Sequence, residues 1–285
     1  MSRSEHVVDA AELTEALAGP TAPLLIDVRW SLAGPPGREA YLAGHLPGAV
    51  FVDLDTALAG PPGAGGRHPL PDPATFHAAM VHAGVRPDHD VVAYDGGDGL
   101  PAARCWWLLR HAGHRRVRVL DGGLPAWVAA GGVLEPGDVV PVPGEPLTGW
   151  GELPVVDVDG AAAAAGEGVL LDARAGERYR GEVEPVDPVA GHVPGAVSAP
   201  AVDDVDATGR LLDASALRER YTGLGALDAA AAGRPVVAMC GSGVTAARTV
   251  LALAVAGVDA ALWPGSWSEW VADPSRPVAV GEGRG

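Results

Sequence analysis

The residues most able to do covalent chemistry lie in Met239-Cys240-Gly241-Ser242-Gly243-Val244-Thr245-Ala246-Ala247-Arg248. The apolar run Pro235-Val236-Val237-Ala238 before them reads as a short buried strand, and Ala246 to Ala256 behind them as a helix. Cys240 thus stands where a strand ends and a helix begins. The glycines let backbone N–H groups turn toward one point, and the positive end of the helix lies just beyond. Both features favour the thiolate, the nucleophilic form of cysteine. Most free cysteines are small buried filler. The Gly-Ser-Gly loop at a strand-to-helix switch sets this one apart, because ligands of open parallel sheets sit beyond the carboxyl ends of the strands. Cys105 has no such setting. It falls inside Ala102-Ala103-Arg104-Cys105-Trp106-Trp107-Leu108-Leu109, a helix of large apolar residues, and reads as inert core.

The elements that position Cys240 occur twice. Leu24-Leu25-Ile26-Asp27-Val28-Arg29 recurs as Val169-Leu170-Leu171-Asp172-Ala173-Arg174, and Gly44-His45-Leu46-Pro47-Gly48-Ala49-Val50 as Gly191-His192-Val193-Pro194-Gly195-Ala196-Val197. Asp90 to Asp95 matches Pro235 to Cys240, Ala102-Ala103-Arg104 matches Ala246-Ala247-Arg248, and Leu120-Asp121-Gly122-Gly123 with Trp127 matches Trp263-Pro264-Gly265-Ser266 with Trp270. The same order at an offset near 145 marks a duplicated domain. Residues 1–138 are expected to form the first, non-catalytic domain, 139–153 a Pro- and Gly-rich linker, and 154–285 the catalytic domain. Asp95 holds the position matching Cys240, and a carboxylate there cannot carry sulfur.

Within the first half, helices are predicted over Ala11–Ala18, Pro73–Ala83 and Pro101–Ala112, with strands at Leu24–Val28, Ala49–Val52, Val91–Tyr94 and Val117–Leu120. In the second half, Ala214–Tyr221 matches the helix at Pro73. The strands are short, apolar and without alternation, as in a parallel sheet covered on both faces. The fold class is α/β, with a helix-flanked parallel sheet in each half.

Composition narrows the function. The 285-residue chain carries a net charge of −16, and its 20 basic residues are all arginine, which argues against nucleic acid and anionic membranes as partners. No apolar run reaches the length of a membrane span and the N-terminus has no signal-peptide core, so a cytoplasmic location is expected. Two cysteines cannot build a disulfide framework. No Cys/His spacing suggests a metal, and no cofactor is expected.

Taken together, these motifs resemble the tandem-domain rhodanese-type sulfurtransferases along nearly the whole chain. They comprise the Asp-x-Arg strand ends, the Gly-His-x-Pro-Gly-Ala segments, Tyr94-Asp95 with Ala102-Ala103-Arg104-Cys105-Trp106-Trp107, and Leu120-Asp121-Gly122-Gly123 with Trp127. The active loop is similar to that of the 3-mercaptopyruvate branch; the thiosulfate branch places Arg and Lys where Gly241 and Ser242 stand. The resemblance implies a ping-pong reaction in which Cys240 takes sulfur from a small donor as a persulfide. It then passes that sulfur to cyanide or a thiol acceptor, either thioredoxin-like or of low molecular weight. It also implies a proton relay of Ser242, His68 and Asp55, because cleaving the C–S bond of mercaptopyruvate leaves an enolate that needs a proton. Donor binding is assigned to Arg178, whose planar guanidinium suits a carboxylate or sulfonate, and to Gly241, Gly243, Val244 and Thr245.

One departure stands out. The mercaptopyruvate branch has a second arginine after Glu-Pro, whereas Glu184-Pro185 here is followed by Val186-Asp187-Pro188, leaving Arg180 as a possible substitute. Mercaptopyruvate is nonetheless the expected donor, because the neutral loop leaves room for a proton-passing hydroxyl. Two rival classes are a cysteine phosphatase and a non-enzymatic persulfide carrier. The phosphatase motif needs an arginine directly after a five-residue spacer from its nucleophile, at Ala246, but the arginine here is Arg248.

Overall fold

The computed structural model describes residues 3–285; Met1 and Ser2 lie outside the described residues. The first half runs β1 (Val7–Val8), α1 (Ala10–Leu17), β2 (Leu24–Asp27), α2 (Gly37–Ala43), β3 (Val50–Phe51), α3 (Leu54–Ala57), α4 (Pro73–His82), β4 (Val91–Tyr94), α5 (Leu100–His111), β5 (Val117–Leu120) and α6 (Gly123–Ala129). The second half runs α7 (Val158–Glu167), β6 (Val169–Asp172), α8 (Gly176–Tyr179), β7 (Val197–Ser198), α9 (Ala214–Gly223), α10 (Ala226–Ala231), β8 (Val236–Met239), α11 (Val244–Ala256), β9 (Ala261–Leu262) and α12 (Ser266–Trp270). The two sheets are parallel, in the orders β1-β5-β4-β2-β3 and β7-β6-β8-β9.

The duplication is visible in the register. Ile26 pairs with Ala93 in the first sheet, and Leu171 with Ala238 in the second. Every residue of the central strands β4, β6 and β8 is buried, which is why their sequences lack alternation. The strand β1 also has a counterpart. Val155 bridges Leu262 in parallel, with Leu262 donating to the Pro154 carbonyl at 3.0 Å, so the chain entering the second half lies beside β9 as β1 lies beside β5.

The Asp-x-Arg motifs tie each strand end to the following Gly-His segment. Arg29 grips Asp27 and reaches the Gly44 carbonyl at 2.8 Å; Arg174 grips Asp172 and reaches that of Gly191 at 2.7 Å. His45 and His192 bond the carbonyls of Tyr41 and Tyr179 and stack on those rings. Both histidines are structural.

The halves meet chiefly along α5 and α11. The bulky Trp106, Trp107 and Leu109 of α5 and the small Ala246, Ala247 and Ala252 of α11 are all buried, so the seam is a packed core. α11 begins at Val244, two residues earlier than the composition suggests, because Gly243 caps it at φ +80°. β1, α2, α3 and α6 escape sequence reading because two to seven residues are too few to display a period. Among the described residues, no helix is long and apolar enough to cross a membrane.

Candidate active site

Cys240 follows β8 directly and is 2% exposed. The Gly243 N–H donates to its sulfur at 3.1 Å. Gly243 must be glycine: its φ is positive, and a Cβ there would lie 2.3 Å from the Pro264 carbonyl oxygen. The loop is fastened from behind by the start of α12. The Cys240 N–H donates to Ser266 Oγ at 3.1 Å, and the Cys240 and Gly241 carbonyls accept from Trp267 and Ser268. Ser266 holds φ +53°, the only non-glycine with positive φ among the described residues. It occupies the repeat position of Gly123, whose φ is +55°. The repeat alignment carried that signal, but sequence reading passed over it.

The loop faces a cleft of about 890 Å³ lined from both halves, including Trp30 and Arg67 from the first and Arg178, Cys240, Ser242 and Thr245 from the second. Ser242 Oγ lies 2.7 Å from His68 Nδ1. His68 is buried, and its pKa is lowered to about 4, first by burial, with Arg104 and Arg67 adding to the effect and Asp55 opposing it. The ring is therefore neutral at pH 7 and its Nδ1 can accept the serine proton. Asp55 Oδ1 is 3.6 Å from His68 Nε2, too far for a hydrogen bond. Both Asp55 oxygens instead take the Trp30 indole N–H at 3.0 Å, and Trp30 packs edge-on against His68. Trp30, absent from the sequence-level site, holds both members of the pair.

The arginines correct the charge expected around the loop. Arg178 is present, gripping Glu184 through Nε at 3.0 Å and Nη2 at 2.6 Å, with Asp187 at 3.2 Å. Arg67, from the first half, pairs with the other oxygen of Asp187. Both guanidinium groups pack on Gly241: a Cβ there would lie 3.0 Å from Arg67 Nη2 and 3.6 Å from Arg178 Nη1. The loop has no charge of its own, but two guanidinium groups, each paired with a carboxylate, lie against it. Arg180 is no substitute for the missing second arginine, since it faces outward onto Glu182. The second guanidinium beside the loop is that of Arg67. Nothing in the local sequence marks a loop arginine as packed, half-buried, against residues of the other half. Burial raises the pKa of Asp187, outweighing the lowering by Arg67.

A fully buried arginine closes the site from the first half. Arg104 on α5 donates to the carbonyls of Gly243, His68 and Pro69, at 3.3, 3.1 and 3.1 Å. Burial lowers its pKa to about 10, against the attraction of a negative charge at Cys240. Val244 and Thr245 line the cleft from the first turn of α11. Cys105 is sealed in the core, where burial pushes its thiol up to about 12. Asp95 fills its own loop, accepting from Gly97, Gly99 and Ala102 N–H groups at 2.8, 3.1 and 3.1 Å. No cluster able to hold a metal ion occurs among the described residues.

Residues 9–130 and 158–273 each match the rhodanese-like domain. The chain belongs to the rhodanese family. This rhodanese is 46% identical, over 98% of its length and 99% of the relative's, to SseB of Mycobacterium tuberculosis H37Rv, provisionally named a thiosulfate sulfurtransferase. It is 45% identical, with the same coverage, to a Pseudomonas aeruginosa protein provisionally named a 3-mercaptopyruvate sulfurtransferase. The crystal structure of SseA, the Escherichia coli 3-mercaptopyruvate sulfurtransferase, superposes with a TM-score of 0.78 at 35% identity, covering 92% of this rhodanese and 98% of SseA. Two relatives of nearly equal similarity thus carry different donors in their names, and for this rhodanese the choice of donor must be argued from its own site.

Proposed function

We propose that this chain is a sulfurtransferase that moves sulfane sulfur from a small anionic donor, 3-mercaptopyruvate in preference to thiosulfate, through a Cys240 persulfide to cyanide or a thiol. Residues 154–285 carry the nucleophile. Residues 1–138 form a non-catalytic wall that supplies Arg67, His68, Asp55 and Arg104, and 139–153 join the two. The observation that carries this reading is the 2.7 Å contact between Ser242 on the cysteine loop and neutral His68 on the other half.

Cys240 thiolate attacks the donor sulfur, the C–S bond breaks, and its electron pair goes to carbon as the enolate of pyruvate. One proton must leave the donor's sulfur and one must reach that carbon, so the step balances without a proton from solvent. Ser242, backed by His68 Nδ1, can hand its proton to carbon while one returns from sulfur, leaving Cys240 as persulfide anion. Arg67 and Arg178 hold the donor carboxylate beside Gly241. Thiosulfate would need no proton, since sulfite leaves as a stable anion, so a relay has value only for a carbon leaving group. The Gly243 N–H supports the Cys240 sulfur as it attacks, and the start of α11 lies beside it.

Phosphatase chemistry lacks its arginine. Arg248 donates to the carbonyls of Asp98 and Ala201. The deciding assay measures thiocyanate formed from cyanide with each donor, alongside phosphate release from an aryl phosphate. Higher kcat/KM with 3-mercaptopyruvate is expected, with no phosphate release. Added sulfur should be found by mass spectrometry on the Cys240 peptide and be absent in Cys240→Ser. A preference for thiosulfate would sink the donor assignment, and sulfur on Cys105 would sink the assignment of the halves.

A further inference from the structure

The two arginines beside Gly241 are not free cations. The Asp187 carboxylate lies between them, with one oxygen on Arg67 Nη1 and the other 3.2 Å from Arg178 Nη2. Its side chain is 3% exposed, while those of Arg67 and Arg178 are 25% and 18% exposed. Arg67 and Arg178 line the cleft, and Asp187 sits behind them without lining it. Glu184 occupies the far edge of Arg178, and its carboxylate accepts the Val186 and Asp187 N–H groups at 3.1 and 3.0 Å. The Glu-Pro-Val-Asp segment therefore folds into a tight turn that presents two carboxylates to two guanidinium groups.

We propose that Asp187 sets the choice among anionic donors: it holds Arg67 and Arg178 in place across the domain seam while cancelling one of their charges, so that the cleft favours monoanions over dianions. This rests on the reading that the arginines receive the donor's anionic group.

The argument is a charge count. Arg67 and Arg178 contribute two positive charges, and Glu184 and Asp187 offset both; Arg174, which also lines the cleft with its Nη1 3.5 Å from Glu184, is balanced by Asp172. A donor carboxylate still finds directed N–H groups, which suffice for one charge held by hydrogen bonds. A dianion gains from those same bonds but feels the nearby Asp187 charge twice over, because Coulomb energy is linear in the ligand's charge. If neutralising Asp187 strengthens monoanion binding by about fivefold, a dianion at the same place gains roughly the square of that, about 25-fold. Mercaptopyruvate is a monocarboxylate at neutral pH, whereas thiosulfate and sulfate are dianions. An aspartate near the missing second arginine thus does more than mark the loss of a cation. It borrows a cation from the other half and fixes the net charge of the pair. Asp187 touches no donor, so it is a positioning and specificity residue.

The test uses the full chain carrying Asp187→Asn, Asp187→Ser or Asp187→Glu, each checked for a native circular dichroism spectrum and melt; either neutral variant that folds decides the matter. The ratio of kcat/KM for thiosulfate to that for mercaptopyruvate is expected to rise by about fivefold or more in the neutral variants. The change should sit mainly in KM, and Asp187→Glu should keep the wild-type ratio. Because the sulfurtransferase reading could itself fail, a second readout needs no turnover: protection of Cys240 from alkylation by pyruvate, a monoanion, and by sulfate, a dianion. Neutral variants should tighten protection by sulfate more than by pyruvate. An unchanged mono- to dianion ratio in both readouts would overturn the proposal, as would equal losses for both anions in the Asn and Glu variants, the mark of a merely structural tether. Absent turnover in the wild type with a shifted protection ratio would leave the charge filter standing and count against the sulfurtransferase reading alone.

Discussion

His68 is exposed to two opposing influences, burial and a carboxylate, and burial wins. Its pKa in the fold, about 4, lies below the ordinary 6.5, so the unfolded chain takes up its proton first as pH falls. The stability that neutral His68 allows is fully present above pH 6.5 and is lost as the pH drops toward 4. For catalysis the sign is the same: a neutral imidazole persists to about pH 5. The ratio of mercaptopyruvate to thiosulfate turnover, in which the cysteine's own ionisation cancels, should stay level between pH 7 and 5 and fall below. Ser242→Ala and His68→Ala should lower the mercaptopyruvate rate by roughly 10²-fold or more and the thiosulfate rate far less; equal losses on both donors would remove the relay. Ser266 makes a second residue-scale case. Its left-handed backbone is strained, and its hydroxyl spans the Cys240 N–H and the Trp263 carbonyl. Ser266→Ala keeps the strain and loses the bonds, and should cost about 1–2 kcal/mol of stability. Ser266→Gly loses the same bonds but relieves strain, so its melting temperature should fall less while turnover falls comparably. A Gly variant less stable than the Ala variant would mean that Ser266 is not strained.

Elements explain which of these residues could be seen in advance. Cys240, Ser242 and His68 sit in segments with local signatures, a strand followed by a glycine loop or a motif shared with a family, and they were legible. Trp30 and Arg67 were not, because each acquires meaning through a partner distant in sequence: Arg67 meets Asp187 across 120 positions. Ser266 was signalled only by its repeat counterpart Gly123, and Asp187 only as a departure from the motif. The long elements were legible to within a residue or two, since β4 and β8 are unbroken apolar runs and α5 is interrupted only by Arg104 before its closing Arg110-His111. The four-residue α3, which carries Asp55, has no period to read. The duplicated strand–loop–helix also permits a controlled comparison. Gly243 and Gly99 cap equivalent helices at φ +80° and +70°, but a Cβ at Gly243 meets the Pro264 carbonyl at 2.3 Å, whereas at Gly99 it meets only Arg248 Cδ at 3.4 Å. Gly99→Ala should cost about 1–2 kcal/mol for the left-handed backbone alone. Gly243→Ala should cost more by thermal melt and abolish turnover through displacement of the sulfur loop; equal melts would refute the steric difference.

At the scale of the whole molecule, the cleft exists only when both halves are present. The second half expressed from Pro154 keeps Cys240 but lacks Arg67, His68, Asp55 and Arg104, and it bares the apolar face of α11 that α5 covers. It should lose nearly all turnover and tend to aggregate. Full activity in that fragment would show that the first half takes no part in the chemistry.

The arginines at the seam run in both directions. Arg104 reaches from the first half to the Gly243 carbonyl of the sulfur loop, and Arg248 reaches from the second half to the Asp98 carbonyl of the first half's loop. Two straps crossing in opposite senses tie the mouth of the cleft from both sides, so swinging the halves apart would break both. If sulfur transfer proceeds as proposed, cyanide or a small thiol is expected to enter whole, whereas a protein acceptor is expected to need its cysteine on a slender, protruding segment.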